Sequence, residues 1–110
     1  MSIVHFGSAS EFRQWLAASH STAAELWVGF YKTASGRRGI AYSEAVDEAL
    51  CFGWIDGLRR KVDRDRYTNR FTPRKKRSTW SLVNVRNAER LIAGGRMHAA
   101  GIREIGRAHV

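Results

Sequence analysis

The nine residues Ala49-Leu50-Cys51-Phe52-Gly53-Trp54-Ile55-Asp56-Gly57 constrain this chain more than any other stretch. A helix-like apolar pattern runs into a glycine, two large apolar residues follow, and a lone carboxylate, Asp56, is bracketed by Gly53 and Gly57. Glycine reaches left-handed backbone and lets a neighbouring segment come close. The pattern therefore predicts a helix that ends in a tight turn and feeds a strand-like run, with Asp56 aimed out of the turn. A chain organised on such a unit interleaves helices with strands.

The flanking segments fit that frame. Ile3 to Phe6 reads as a short strand. Ser8 with Glu11 has capping-box spacing, and Phe12, Trp15 and Leu16 share one face of a helix over about 9–19. From Glu25 to Thr33, Leu26, Val28 and Phe30 alternate with Trp27, Gly29 and Tyr31, which predicts a strand covered on both sides. Residues 34–39 form a loop. Ser43 is the expected N-cap of a helix over 43–53, with Tyr42, Val46, Ala49, Leu50 and Gly53 inward. Glu44, Asp47, Glu48 and Cys51 fall on its opposite, polar face. Leu58–Val62 and Arg66–Thr72 read as a hairpin about Asp63-Arg64-Asp65, and Pro73 ends its second strand. Ser78 or Ser81 caps a helix with Val85, Ala88, Leu91 and Ile92 on its apolar side, stopped by Gly94-Gly95. A last short helix is expected within 97–108. Without a clean βαβ period, the expected class is α+β: a small antiparallel sheet of three to four strands packed against three to four helices, in a single domain over 1–110.

Charge is concentrated in one place. Residues 59–77 hold ten of the nineteen Lys and Arg but only two acids, Asp63 and Asp65, while the whole chain carries a formal charge of +9. A basic segment on a near-neutral domain raises the local concentration of anions. No run of residues approaches the ~18–20 apolar positions of a membrane span. Residues 1–10 lack the features of a signal peptide, and a single cysteine fits a reducing compartment; the expected location is cytoplasmic.

Candidate chemistry is sparse. Cys51 sits near a helix C-terminus beside Asp47 and Glu48, where dipole and charge disfavour a thiolate, so a packing role is expected. His5, His20, His98 and His109 show no metal-ligand spacing, and Gly36-Arg37-Arg38-Gly39 follows no phosphate-loop pattern. Neither metal nor cofactor is expected. The strongest constellation joins the 54–57 turn to the segment from Pro73 onward. There Arg74 and its neighbours precede a Ser-capped helix whose free N–H groups, with an arginine fork, suit an anion. The expected anion-binding residues are Trp27, Lys32, Trp54, Asp56, Arg74, Ser78, Trp80, Ser81 and Asn84. Two alternatives accompany that reading. Arg66 and Arg70, followed by residues 74–77, suit the phosphates of a nucleic acid, with Trp80 or Tyr67 stacking on a base. Asp56 as a base, with Ser78 or Ser81 as nucleophile, would make a small enzyme for an anionic substrate.

Several longer motifs point one way. Trp27 to Lys32, Tyr42-Ser43-Glu44-Ala45-Val46, Ala49 to Gly57, Arg70-Phe71-Thr72-Pro73-Arg74, Ser78-Thr79-Trp80-Ser81 with Asn84, and Gly95-Arg96-Met97 with Gly101 follow one another in an order and spacing that resembles the YdeI/OmpD-associated family. The resemblance spans residues 25–105. It implies a small bacterial-type cytoplasmic α+β protein of a group labelled by porin association and bacteriocin protection, and it brings no catalytic residues. Longer members of that family continue beyond the position of Gly101 into another helical segment, so this chain resembles a short form. The function expected on these grounds is non-enzymatic binding or stress protection, with an anionic ligand or an acidic protein as partner.

Overall fold

The computed structural model describes residues 2–75 and 80–105. They form β1 (Ile3–Val4), α1 (Ala9–Ser19), β2 (Leu26–Tyr31), a 3-10 turn (Thr33–Ser35), α2 (Tyr42–Cys51), β3 (Trp54–Lys61), β4 (Arg66–Pro73), α3 (Leu82–Ala93) and α4 (Ala99–Ile105). The class is α+β, with one four-stranded sheet in the order β1-β2-β4-β3.

That sheet is mixed, which corrects the expectation of a wholly antiparallel one: β1 runs parallel to β2, whereas β4 is antiparallel to both β2 and β3. The reason is the helix between β1 and β2. A crossover through α1 returns the chain to the end it left, so the two strands it joins must run the same way. Through α2, β2 and β3 are likewise parallel in direction, and β4 inserts between them.

Local chemistry explains the boundaries. Ser8 Oγ accepts the N–H of Glu11, and the Glu11 carboxylate accepts the N–H of Gly7 at 2.5 Å, so α1 starts as its capping spacing requires. Helix α2 begins one residue before the expected Ser43 cap. Ala41 is its N-cap, and Glu44 Oε1 accepts the Ala41 N–H at 3.0 Å, doing from N3 what a capping side chain would have done. Gly53, at φ 75°, makes the turn out of α2. Strand β3 then starts at once, four residues earlier than expected from the hairpin pattern. Asp56 and Gly57 are thus strand residues, and a register shift between Asp56 and Arg59 inserts one extra residue opposite β4. Asp63 closes the β3–β4 hairpin, its Oδ1 accepting from the N–H groups of Asp65 and Arg66, both at 2.9 Å. Ser81 caps α3 by accepting the N–H of Asn84 at 3.1 Å. Ser78 lies outside the described residues.

The core sits between the sheet and the helices. Phe12 and Leu16 of α1 and Ala45, Ala49 and Leu50 of α2 pack on Leu26, Val28, Phe30 and Phe71. Helix α2 is central: it contacts α1, α3, α4 and β3. Half of its expected polar face is therefore inside, while Glu44 stays exposed. Glu48 and Cys51 are both buried, and Glu48 pairs with Arg13 and Arg96. The second face of β2 is the opposite case. Trp27 and Tyr31 are not packed against the core, so the expectation of a strand covered on both sides fails on that face.

Candidate functional site

Asp56 faces the helix side of the sheet, opposite Phe71 in the β3–β4 ladder. Its Oδ2 accepts the hydroxyl of Tyr42, the first residue of α2. Burial, and then this hydrogen bond and the carboxylate charge, push the Tyr42 phenol well above its ordinary range, opposed only by Arg59. Tyr42 is thus held as a neutral donor. Arg59 lies between two tyrosines, 4.9 Å from the ring centre of Tyr42 and 4.4 Å from that of Tyr67, and its Nε donates to Asn69 Oδ1 at 3.0 Å. Asn69 is buried and in turn donates to the Gly57 carbonyl, so the bulge, the asparagine and the guanidinium brace one another. Tyr67 stacks on Phe30 with ring centres 5.3 Å apart.

Around this braced arginine the surface is concave and basic. A cleft of about 590 Å³ runs between β2, the 33–41 loop and the start of α2, with Arg37, Arg38, Tyr42 and Tyr67 in its wall. A shallower one of about 310 Å³, lined by Lys32, Arg59, Lys61 and Tyr67, adjoins it through Tyr67. No carboxylate lines either. Five cations and the tyrosines Tyr31, Tyr42 and Tyr67 line a space the size of a small ligand.

The expected site residues are distributed over several places. Lys32 borders the basic cleft. Asp56 and Asn84 line a hollow of about 360 Å³ that shares Tyr42 and Ser43 with the basic cleft and also holds Asp47, which is paired to Arg90 at 2.9 Å. Two carboxylates there oppose an anion at the start of α3, which corrects the idea that this helix N-terminus and Asp56 form one anion site. Trp54 and Arg74 border a third hollow of about 170 Å³ with Arg103 and Glu104. Arg74 is buried, with its guanidinium 4.0 Å from the ring centre of Trp80, itself 2% exposed. Burial pulls the Arg74 pKa below its ordinary value, against the opposing charges of Glu104 and Asp56. Arg74 and Trp80 are thus interior groups. Trp54 is interior too, its indole N–H donating to the His20 carbonyl at 3.2 Å. Trp27 is on the other face of the sheet. Ser81 Oγ is engaged in capping α3, and Ser78, the other expected nucleophile, lies outside the described residues.

Sequence reasoning missed Tyr42, Arg59 and the loop arginines. The available signal was Gly36-Arg37-Arg38-Gly39: not a phosphate loop by its glycine pattern, but an arginine pair placed just before a helix. The Tyr42–Asp56–Arg59 grouping had no such signal, because the bulge in β3 decides which way Arg59 points.

Burial is the first cause raising the Cys51 thiol above its ordinary pKa, with Glu48 adding to it and Arg13 opposing. The packing role expected of Cys51 accords with its burial. Among the described residues no three His, Cys, Asp or Glu side chains come together as a metal site, and no helix is long and apolar enough to cross a membrane. His98 does titrate with the fold. Its Nδ1 accepts the N–H of Ala100 at 3.1 Å, which requires that nitrogen to be unprotonated. Burial, then His20, Arg103 and Arg13, lower its pKa below 6.5. A histidine whose folded pKa is depressed contributes stability above pH 6.5 that is lost as the pH falls through the folded value. His5 acts in the same direction. The melting temperature is expected to fall between pH 7.5 and 5.5, and to fall less in His98→Asn, which keeps an acceptor without a titration; an identical fall in both proteins would rule out His98.

A family model described as a domain of unknown function (DUF8412) matches residues 4–104. No curated protein and no solved structure matches the chain.

Proposed function

The chain belongs to the DUF8412 family, a domain of unknown function, and from its geometry we propose that it is a non-enzymatic binding protein whose basic cleft accepts a small anion. One observation carries the reading: Lys32, Arg37, Arg38, Arg59 and Lys61 converge on Tyr42 and Tyr67 in two adjoining concavities with no carboxylate in their walls. Arg59 is pre-positioned by its two tyrosines and Asn69, so little side-chain freedom is lost when it binds. Arg37 and Arg38 are exposed and able to fold onto a ligand from the loop. Guanidinium forks and ammonium groups together suit a phosphate or carboxylate better than a neutral ligand. A cytoplasmic location, a relationship to the YdeI/OmpD-associated family, and stress protection acting through the bound anion or an acidic partner are parts of the same proposal.

Inorganic pyrophosphate is the probe. It is expected to raise the melting temperature of the wild-type protein at low salt and to bind about tenfold more weakly to the Arg38→Ala/Lys61→Ala double variant, as the loss of two exposed charge pairs implies. Equal pyrophosphate binding by the double variant and the wild type would remove the cleft as the site.

A further inference from the structure

The face of the sheet turned away from the helices has its own chemistry. Along β2, Trp27 and Tyr31 point to this side, four residues and about 13 Å apart, and neither packs on the core. Between them is Gly29. A Cβ there would collide with the ring of His5, so the glycine is what lets this imidazole lie across the strand, its centre 5.5 Å from that of Tyr31. Trp27, His5 and Tyr31 thus make a row of three rings on one strand. Arginines flank the row. Arg70 is directly opposite Trp27 and Arg66 opposite Tyr31 on β4, while the guanidiniums of Arg60 and Arg37 lie over ring faces, 5.6 Å from the Trp27 centre and 4.6 Å from that of Tyr31. Glu25 pairs with Arg70 and Asp63 with Arg66. Arg37 and Arg60 are in no ion pair among the described residues.

We propose that this open sheet face binds single-stranded nucleic acid, with bases stacked on the Trp27–His5–Tyr31 row and phosphates held by Arg60, Arg70 and Arg37. A sheet face does not enter a duplex groove as a helix would, and its rings, once Arg60 and Arg37 turn from them to phosphates, serve only bases whose faces are free. An acidic protein would match the arginines but would leave the ring row without a purpose. A polyanion with π-faces uses both. This surface meets the basic cleft at Tyr31 and Arg37, which border both, whereas Trp27, Arg60 and Arg70 belong to the sheet face alone.

Fluorescence anisotropy of a labelled twelve-nucleotide strand, as DNA and as RNA, tests the proposal against the same DNA as a duplex and against polyglutamate as competitor. Expected are binding at 50 mM NaCl that weakens steeply by 200 mM, and weaker binding of the duplex. Trp27→Ala should lose about tenfold or more, the value of one base stack, with its fold checked by circular dichroism. Arg60→Gln, at an exposed position, should lower the slope of log affinity against log salt by about one. Absence of binding at 50 mM NaCl, a duplex bound as tightly as the single strand, or affinities unchanged in both variants would each overturn it. Displacement by polyglutamate at equal charge would instead make the face an acidic-protein site.

Discussion

Glu48→Ala is expected to destabilise the protein by about 2–3 kcal/mol and lower its melting temperature by roughly 10–20 °C. The carboxylate is only 3% exposed. Its Oε1 accepts from Arg13 at 3.1 Å and from Arg96 at 2.6 Å, and its Oε2 accepts from Arg96 at 2.9 Å. Arg13 also donates to the Arg96 carbonyl at 2.6 Å, so the group ties α1, α2 and the α3–α4 connection together. Breaking one partner out of a buried pair costs about 3–5 kcal/mol when the remaining charge is stranded. Here the side chains of Arg13 and Arg96 are 36% and 44% exposed and turn towards water, which places the loss at the low end. The reverse change is informative. Arg96→Met leaves the more deeply buried carboxylate with one partner, and it should cost at least as much as Glu48→Ala although Arg96 lies nearer the surface. Urea denaturation measures both; a loss below about 0.5 kcal/mol for Glu48→Ala would show that the triad is replaceable by water.

Gly101→Ala is expected to cost about 2–3 kcal/mol, an overpacking penalty. A Cβ at Gly101 would come within 2.7 Å of the Leu50 carbonyl and closer still to that of Cys51. Those are backbone atoms at the end of α2, which cannot turn aside as a side chain would. Helix α4 would have to move outward, stretching the bond from His98 N–H to the Cys51 carbonyl, now 2.9 Å. Gly95 supplies the control. It has φ 71° and nothing within 4 Å of its would-be Cβ, so Gly95→Ala carries only the backbone penalty of about 1 kcal/mol. If Gly101→Ala proved no more costly than Gly95→Ala, the close approach of α4 to α2 would be wrong.

Residue type and spacing along the chain determined the elements. Ser8 and Glu11, Ser81, Gly53, Asp63 and the Gly94-Gly95 pair each act on backbone within four residues of themselves, so each cap and turn they predict is present where they stand. Hydrophobic alternation in β2 correctly set one face inward, and the α+β class followed from the mixture of periods. Long-range pairing decided the rest. The parallel pairing of β1 depends on where α1 returns the chain, the burial of Glu48 on two arginines 35 and 48 residues away in sequence, and the direction of Arg59 on a bulge against β4. Asp56 shows the division most plainly. Its glycine brackets marked it in the sequence, but the hydrogen bond it accepts comes from the hydroxyl of Tyr42, a residue of another element that the spacing did not indicate. Local rules see only neighbours in the chain, whereas a cleft is made by side chains whose separation the tertiary packing alone sets.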